Sequence, residues 1–192
     1  MIQRSIQAGE KPIVIVRGGT DCVVEGYDGE RVIAETESRW GGLNVRERGN
    51  AIEVNAGGAC TVKVPLRSVV KVYSGKHASV SRVHGPVLIN SGGDARATGV
   101  TLMEPCNAGG HINVDCDALT TDDAKFNAGK DIRIHVHTLA DARIKVNDAG
   151  GYWEGVIGDG RATLRLKCGG AATLITEHDV RGKLLGNIER PA

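Results

Sequence analysis

The chain has 192 residues, a formal net charge of +1 at neutral pH and 27 glycines. This length is typical of one domain with a continuous core, and the near-zero charge argues against nucleic acid or an anionic membrane surface as a partner. Because 41% of the residues are hydrophobic, well above a disordered composition, the glycines are expected in turns rather than in a flexible linker.

The sequence contains no recognisable targeting or anchoring segment. Residues 1–12 include no apolar run of the length found in signal peptides, and no later segment is long and apolar enough to span a membrane. We therefore expect a cytoplasmic protein without a membrane span.

A repeated pattern begins at residue 13. Its template is apolar, any, apolar, two of any kind, glycine, two of any kind, apolar, any, apolar; apolar residues two apart face one side of a strand, so each copy predicts strand, glycine turn, strand. The first copy, PIVIVRGGTDCVVEG, is anchored at Gly19. Residues 27–49 fit the template poorly, and we expect one irregular turn of the same structure there.

Further copies follow in chain order. Residues 70–100 are the clearest, because their second half repeats the first at a shift of seventeen. The copy at 104–114 has Glu104 at an apolar position beside Pro105, which predicts a local distortion. The copy at 144–154, which places Tyr152 and Glu154 inward, is weaker. The anchors after the first copy lie at positions 57, 75, 92, 109, 129, 149 and 169.

Copies 17 to 20 residues apart are typical of a β-helix in which each coil hydrogen-bonds to the next. We therefore predict an all-β fold, a single-domain right-handed parallel β-helix (β-solenoid). Residues 1–12 would form an N-terminal arm, 13–176 the β-solenoid and 177–192 a C-terminal cap or tail. The template predicts the following residues to be buried: Val72, Ile89, Phe126, Ile134 and Leu166. It predicts these to be exposed: Lys71, Arg133 and Lys167.

Two segments resemble a known family. GTDCVVEGYDGERVIAE and GGACTVKVPLRSVVKVYSGKHASVSRVHGPVLINSGGDARATGV are similar to the bacterial putative-adhesin family of domains of unknown function, a resemblance that extends from about Ile13 to Leu174. It implies a right-handed β-solenoid of short strand–glycine–strand coils and no catalytic residues to carry over. More distantly, the chain resembles the bactofilins, cytoplasmic β-helices that polymerise end to end.

The predicted architecture favours a structural role over catalysis. Polysaccharide-active β-helix enzymes build a groove from long loops, and the short turns expected here leave little room for one. We predict a non-enzymatic structural protein, a self-associating scaffold or filament-forming subunit whose partner is itself. The alternative is a cell-surface adhesin-like module that binds a polysaccharide or a protein, and a β-helix enzyme is the weakest candidate.

One cluster offers chemistry on the outer surface. His135 and His137 share an outward parity, and Asp115 and Asp117 lie twenty residues earlier, in the preceding coil. Two imidazoles over two carboxylates could hold zinc, nickel or copper. The simpler interpretation, which we favour, is a solvated ladder of His–Asp hydrogen bonds, so no metal and no cofactor is expected.

Other chemically versatile residues are predicted in the core. Cys22, Cys60 and Cys106 fall at inward positions of the template, which favours buried thiols in a reducing compartment over disulfides or a zinc site. Trp153, beside Tyr152, is interpreted as a core residue, with a carbohydrate-stacking platform or an interface residue as alternatives.

Overall fold

The all-β prediction is confirmed. The computed structural model describes residues 1–37, 42–119, 123–139, 141–177 and 188–189. In these ranges, nineteen strands form one mixed sheet, and no segment is helical. It follows that no helix in the described ranges could cross a membrane.

The strands are numbered in chain order. The first ten are β1 (Ile2–Gln7), β2 (Ile13–Gly18), β3 (Cys22–Tyr27), β4 (Arg31–Thr36), β5 (Leu43–Arg48), β6 (Ala51–Ala56), β7 (Cys60–Pro65), β8 (Val69–Ser74), β9 (Ala78–Ser81) and β10 (Pro86–Ser91). The others are β11 (Ala95–Ala108), β12 (Ile112–Leu119), β13 (Asp123–Ala128), β14 (Ile132–Val136), β15 (Ala142–Asp148), β16 (Gly151–Ile157), β17 (Ala162–Cys168), β18 (Ala172–Thr176) and β19 (Ile188–Glu189).

Most of the sheet consists of two series of parallel strand pairs. The first series runs β6, β2, β8, β10, the second part of β11, β13, β17 and β15. The second runs β7, β3, β9, the first part of β11, β12, β14 and β18. Val70 lies opposite Val87 and Ile112 opposite Ile132, as the shifts of seventeen and twenty predict.

The core follows the alternation of the template. The five residues predicted to be inward, Val72, Ile89, Phe126, Ile134 and Leu166, are at most 1% exposed. Arg133 and Lys167 are exposed and Lys71 is half-exposed, so the inward and outward assignment is confirmed at these positions.

A column of glycines lies at the corner between the two series. In stacking order it is Gly57, Gly19, Gly75, Gly92, Gly109, Gly129 and Gly169. A Cβ atom added to any glycine after the first would lie less than 3.0 Å from the carbonyl oxygen of the glycine before it. The column therefore requires glycine because neighbouring backbones approach too closely for a side chain.

The N-terminal part of the stack does not follow chain order. Strand β2 pairs with β6 on one side and β8 on the other, so Gly19 lies between Gly57 and Gly75. The expected irregular turn at residues 27–49 is wrong, because β4 pairs antiparallel with β1 and β7, and β5 pairs antiparallel with β6. The chain passes through these antiparallel strands before β6 pairs with β2 on the side opposite β8. The region assigned to an N-terminal arm contributes β1 to the sheet.

The C-terminal part departs from chain order in the same way. The weak copy at 144–154 is not a coil but an antiparallel hairpin of β15 and β16. Strand β17 lies between β13 and β15, so Gly169 follows Gly129 directly in the glycine column. Because β16 belongs to a hairpin, Tyr152 and Glu154 are exposed and Trp153 is buried, the opposite of the predicted parity.

The distortion predicted at Glu104 and Pro105 is confirmed. Val87 lies opposite Met103 and Ile89 opposite Cys106, so the two residues between Met103 and Cys106 face only one residue of β10. This bulge turns Met103, rather than Glu104, into the core.

Candidate functional site

The predicted register at a shift of twenty is confirmed between β12 and β14, and it brings His135 to Asp115. The two residues lie directly opposite each other in β14 and β12. Both are half-buried at outward positions, and the Nδ1 atom of His135 is 3.5 Å from Oδ1 of Asp115.

His137 joins the same carboxylate, not the one predicted for it. Strand β14 ends at Val136, and the following turn is held by the His137 amide, which donates to the carbonyl oxygen of Cys116 at 3.1 Å. The imidazole points back, so its Nε2 atom is 3.0 Å from Oδ1 of Asp115. Asp117 is exposed and lies outside the cluster. The predicted pairing of His137 with Asp117 is therefore wrong at the side-chain level.

Three potential ligands converge as a result. One donor atom from each of Asp115, His135 and His137 lies within 4.8 Å of the others, and the two imidazole centroids are 4.1 Å apart. A fourth group, Glu177, was missed by the sequence analysis. Its Oε1 atom is 3.5 Å from Nδ1 of His137, the ring nitrogen that faces away from Asp115.

The two carboxylates act on the protonation of His137. The hydrogen bond with Asp115, followed by the one with Glu177, raises the pKa of His137 above its usual value. The imidazolium form is therefore favoured in the folded protein, where it can donate one hydrogen bond to each carboxylate.

This shift predicts a pH-dependent contribution to stability. Since the folded-state pKa of His137 is raised, its contribution is complete below the unfolded value of about 6.5 and is lost as the pH rises through the folded value. In metal-free buffer, His137→Gln should therefore lower the unfolding free energy more at acidic than at alkaline pH, measured by urea denaturation. His84→Gln, at an exposed site outside this cluster, is the control. A His137→Gln difference that is constant with pH would contradict the prediction.

A second row of acidic and imidazole groups runs along the corner beside the glycine column. Its members, each two residues after a column glycine, are Asp21, His77, Asp94, His111 and Asp131. Each side chain accepts a hydrogen bond from a backbone amide beside the next glycine of the column, for example Asp94 Oδ1 from the His111 amide at 2.8 Å. That hydrogen bond lowers the pKa of Asp94.

The side chains of this corner row accept hydrogen bonds from backbone amides that would otherwise lack a partner among the described residues. Their role in holding neighbouring strands together accounts for the row without a ligand. The sequence carries a signal for this row, the alternation of His and Asp two residues after each anchor from Gly75 to Gly129. In the part of the chain that the structure describes, no third ligand joins these pairs to form a metal cluster.

The predicted core thiols and Trp153 are buried. Cys22 and Cys60 are in-register neighbours whose Sγ atoms are 3.7 Å apart, and Cys106 lies in the core with them. Trp153 is 3% exposed, which confirms the interpretation as a core residue over a stacking platform. Its Nε1 atom has no hydrogen-bond partner among the described residues.

Comparisons with known proteins give only weak likenesses. No protein-family model matches the chain, and no curated protein matches it. A crystal structure of a putative cell adhesion protein from Clostridium sporogenes ATCC 15579 aligns over 99% of both chains, with a TM-score of 0.42 and 8% identity. A crystal structure of a putative lipid binding protein from Parabacteroides distasonis ATCC 8503 aligns over 98% of this chain and 92% of that chain, with a TM-score of 0.35 and 11% identity.

Neither likeness carries a function to this chain at these scores and identities. The resemblances to the adhesin family and to the bactofilins are not accompanied by a family match. Of the features that those resemblances imply, the structure has the all-β fold.

Proposed function

We propose that the chain is a non-enzymatic structural module, a right-handed β-solenoid with antiparallel strands at its ends, that associates with itself through one end. Two features support the solenoid interpretation: the repeated parallel registers at shifts of seventeen and twenty, and the glycine column at one corner. The observation that carries the self-association is the difference between β5 and β16, the antiparallel strands that flank the two ends of the first series.

The end at β5 is protected by charge. This strand pairs with β6 and carries Arg46, Glu47 and Arg48 in succession. Arg46 and Arg48 surround the buried Glu53 of β6 at 3.0 and 3.6 Å. Charged side chains on an edge strand discourage pairing with another sheet.

The end at β16 has the opposite character. This seven-residue strand pairs with β15 alone among the described strands, and Glu154 is its one charged residue. Glu154 is already neutralised by Lys145 at 3.2 Å. Tyr152, which hydrogen-bonds to Glu154, is 56% exposed at the same edge. A long edge strand of low charge favours pairing with another chain.

Pairing between two β16 edges gives a closed dimer. Two identical edges meet across a two-fold axis, and such an isologous contact does not propagate. A filament would require the β16 end of one molecule to join the charged β5 end of the next. A dimer is therefore the assembly that these two ends favour.

The test is the mass of the protein across a concentration series, measured by sedimentation. The wild type should dimerise as concentration rises, and Tyr152→Lys should shift the equilibrium to the monomer, because a lysine on the edge opposes strand pairing. Val23→Lys is the matched control, since Val23 is a comparably exposed apolar residue, at 43%, in the internal strand β3. A wild type that is monomeric throughout would contradict self-association.

The C-terminal segment needs a separate variant. In the predicted C-terminal cap or tail at 177–192, Leu184 and Leu185 lie outside the described residues. Truncation after Glu177 should change the proportion of dimer if this segment covers an end of the stack. Equal distributions with and without the segment would assign the association to β16 alone.

The alternative is a module that binds a polysaccharide or a protein on one flat face. It is favoured by an outward row in which Asn90, Asn107 and Asn127 hydrogen-bond to one another at 2.7 and 2.8 Å. Such a row presents amide groups at the strand spacing of about 4.8 Å, which suits an extended ligand. Retention of a monomeric protein on an immobilised polysaccharide would favour this alternative.

A further inference from the structure

We propose that Asp115, His135 and His137 bind one divalent transition-metal ion of the zinc class, with a fourth coordination position open to solvent. This goes beyond the structural role and does not depend on self-association. It also revises the simpler interpretation of these residues as a solvated hydrogen-bonded ladder, for two geometric reasons.

The first reason is the separation of the donor atoms. Two ligand atoms that are each about 2.0–2.1 Å from a tetrahedral zinc ion lie about 3.4 Å apart. Oδ1 of Asp115 is 3.0 Å from Nε2 of His137 and 3.5 Å from Nδ1 of His135. These two separations bracket the value expected for two ligands of one ion, and both imidazole nitrogens face the same carboxylate oxygen.

The second reason is the support behind His137. Glu177 faces Nδ1 of His137 and can accept its proton when Nε2 is a ligand. A carboxylate on the second ring nitrogen fixes the tautomer and raises the basicity of a metal-bound imidazole. Glu177 is therefore a positioning residue, brought to the site because β18 lies directly beside β14.

The surroundings also restrict solvent on one side. Ile175 lies opposite His135 in β18 and is buried, so the site has an apolar neighbour away from Asp115. The His135 and His137 side chains are themselves half-buried. Two nitrogens and one carboxylate oxygen match the ligand preferences of zinc, nickel, copper and cobalt, whereas calcium prefers oxygen ligands alone.

The test is calorimetric titration of zinc chloride into the full chain after removal of metal with a chelator. The wild type should bind one zinc ion per chain. His135→Ala and the nearly isosteric Asp115→Asn should each weaken binding at least about tenfold, as should Glu177→Gln, which retains all three ligands. Circular dichroism and thermal unfolding of each variant verify that it is folded.

The matched control is His111→Ala. His111 also faces a carboxylate, with its Nδ1 atom 3.1 Å from Asp131, but it belongs to no three-residue cluster in the described chain. Zinc affinity should be unchanged in this variant. The proposal is overturned if the wild type shows no saturable binding, if His135→Ala binds as tightly as the wild type, or if His111→Ala loses as much affinity as His135→Ala.

Discussion

Replacing Gly92 by alanine should destabilise the protein strongly. The new Cβ atom would lie less than 3.0 Å from the carbonyl oxygen of Gly75. The Gly92 amide also donates to the carbonyl oxygen of Ser74 at 2.9 Å, so the two backbone segments cannot separate without stretching a hydrogen bond. Because the obstructing atoms belong to the backbone, no rotamer change relieves the contact. We expect a loss at the upper end of the roughly 1–3 kcal/mol typical of overpacking, measured by urea denaturation.

Gly9→Ala is the matched control for this substitution. A Cβ atom at Gly9 would meet no other atom within 4 Å, and its backbone does not have the positive φ that disfavours a side chain. Its unfolding free energy should stay within about 0.5 kcal/mol of the wild-type value. Similar losses from the two substitutions would show that the glycine column is not closely stacked.

Ile89→Ala should have the other large effect. Ile89 is fully buried in β10, between Val72 of β8 and Cys106 of β11. Truncation removes packed volume from a core whose backbone spacing is held by hydrogen bonds on both sides, so the cavity cannot collapse easily. We expect a loss of about 2–4 kcal/mol in the free energy of unfolding.

The neighbouring residue provides the control for Ile89. Leu88 faces outward and is only half-buried, so Leu88→Ala should cost about 1 kcal/mol or less. A one-residue shift in register would exchange the two side chains between core and surface. A larger loss for Leu88→Ala than for Ile89→Ala would therefore contradict the register of β10.

The local register of the stack was predictable because parallel strands repeat the same residue types in columns. Val70 and Val87 match at a shift of seventeen, and the structure places them side by side. The bulge at Glu104 and Pro105 was predictable for the same reason, since a charged residue and a proline interrupt an otherwise apolar column.

The spatial order of the paired strands was not predictable from the repeat. Every copy carries the same template, so the pattern does not distinguish a stack with Gly75 on Gly57 from one with Gly19 between them. The two arrangements differ in the pairing of β4 with β7 and of β5 with β6, which is antiparallel in the structure. The sequences of β4 and β5 are compatible with either direction of pairing. The hairpin similarly leaves β15 in the parallel series, beside β17 at a shift of twenty, but turns β16 back antiparallel against β15.

The candidate metal site was predictable only in part. The shift of twenty places His135 on Asp115, because both lie within regular strands. His137 lies beyond the end of β14, where the period of two no longer sets the direction of a side chain, so its turn toward Asp115 could not be derived. Glu177 reaches the site because β17 and β18 follow β13 and β14 directly, with the hairpin outside them.

In the regular copies, the amino-acid sequence by itself determined which residues face the core and where glycine is required. Both follow from short-range rules, the alternation of side chains along a strand and the close approach of backbones at a turn. Only the tertiary structure decided which strands are neighbours, which strands lie at the ends of the parallel series, and that Glu177 lies beside His137. Those features depend on competition among nearly equivalent strand pairings, which is resolved by the packing of the whole sheet rather than by any single segment.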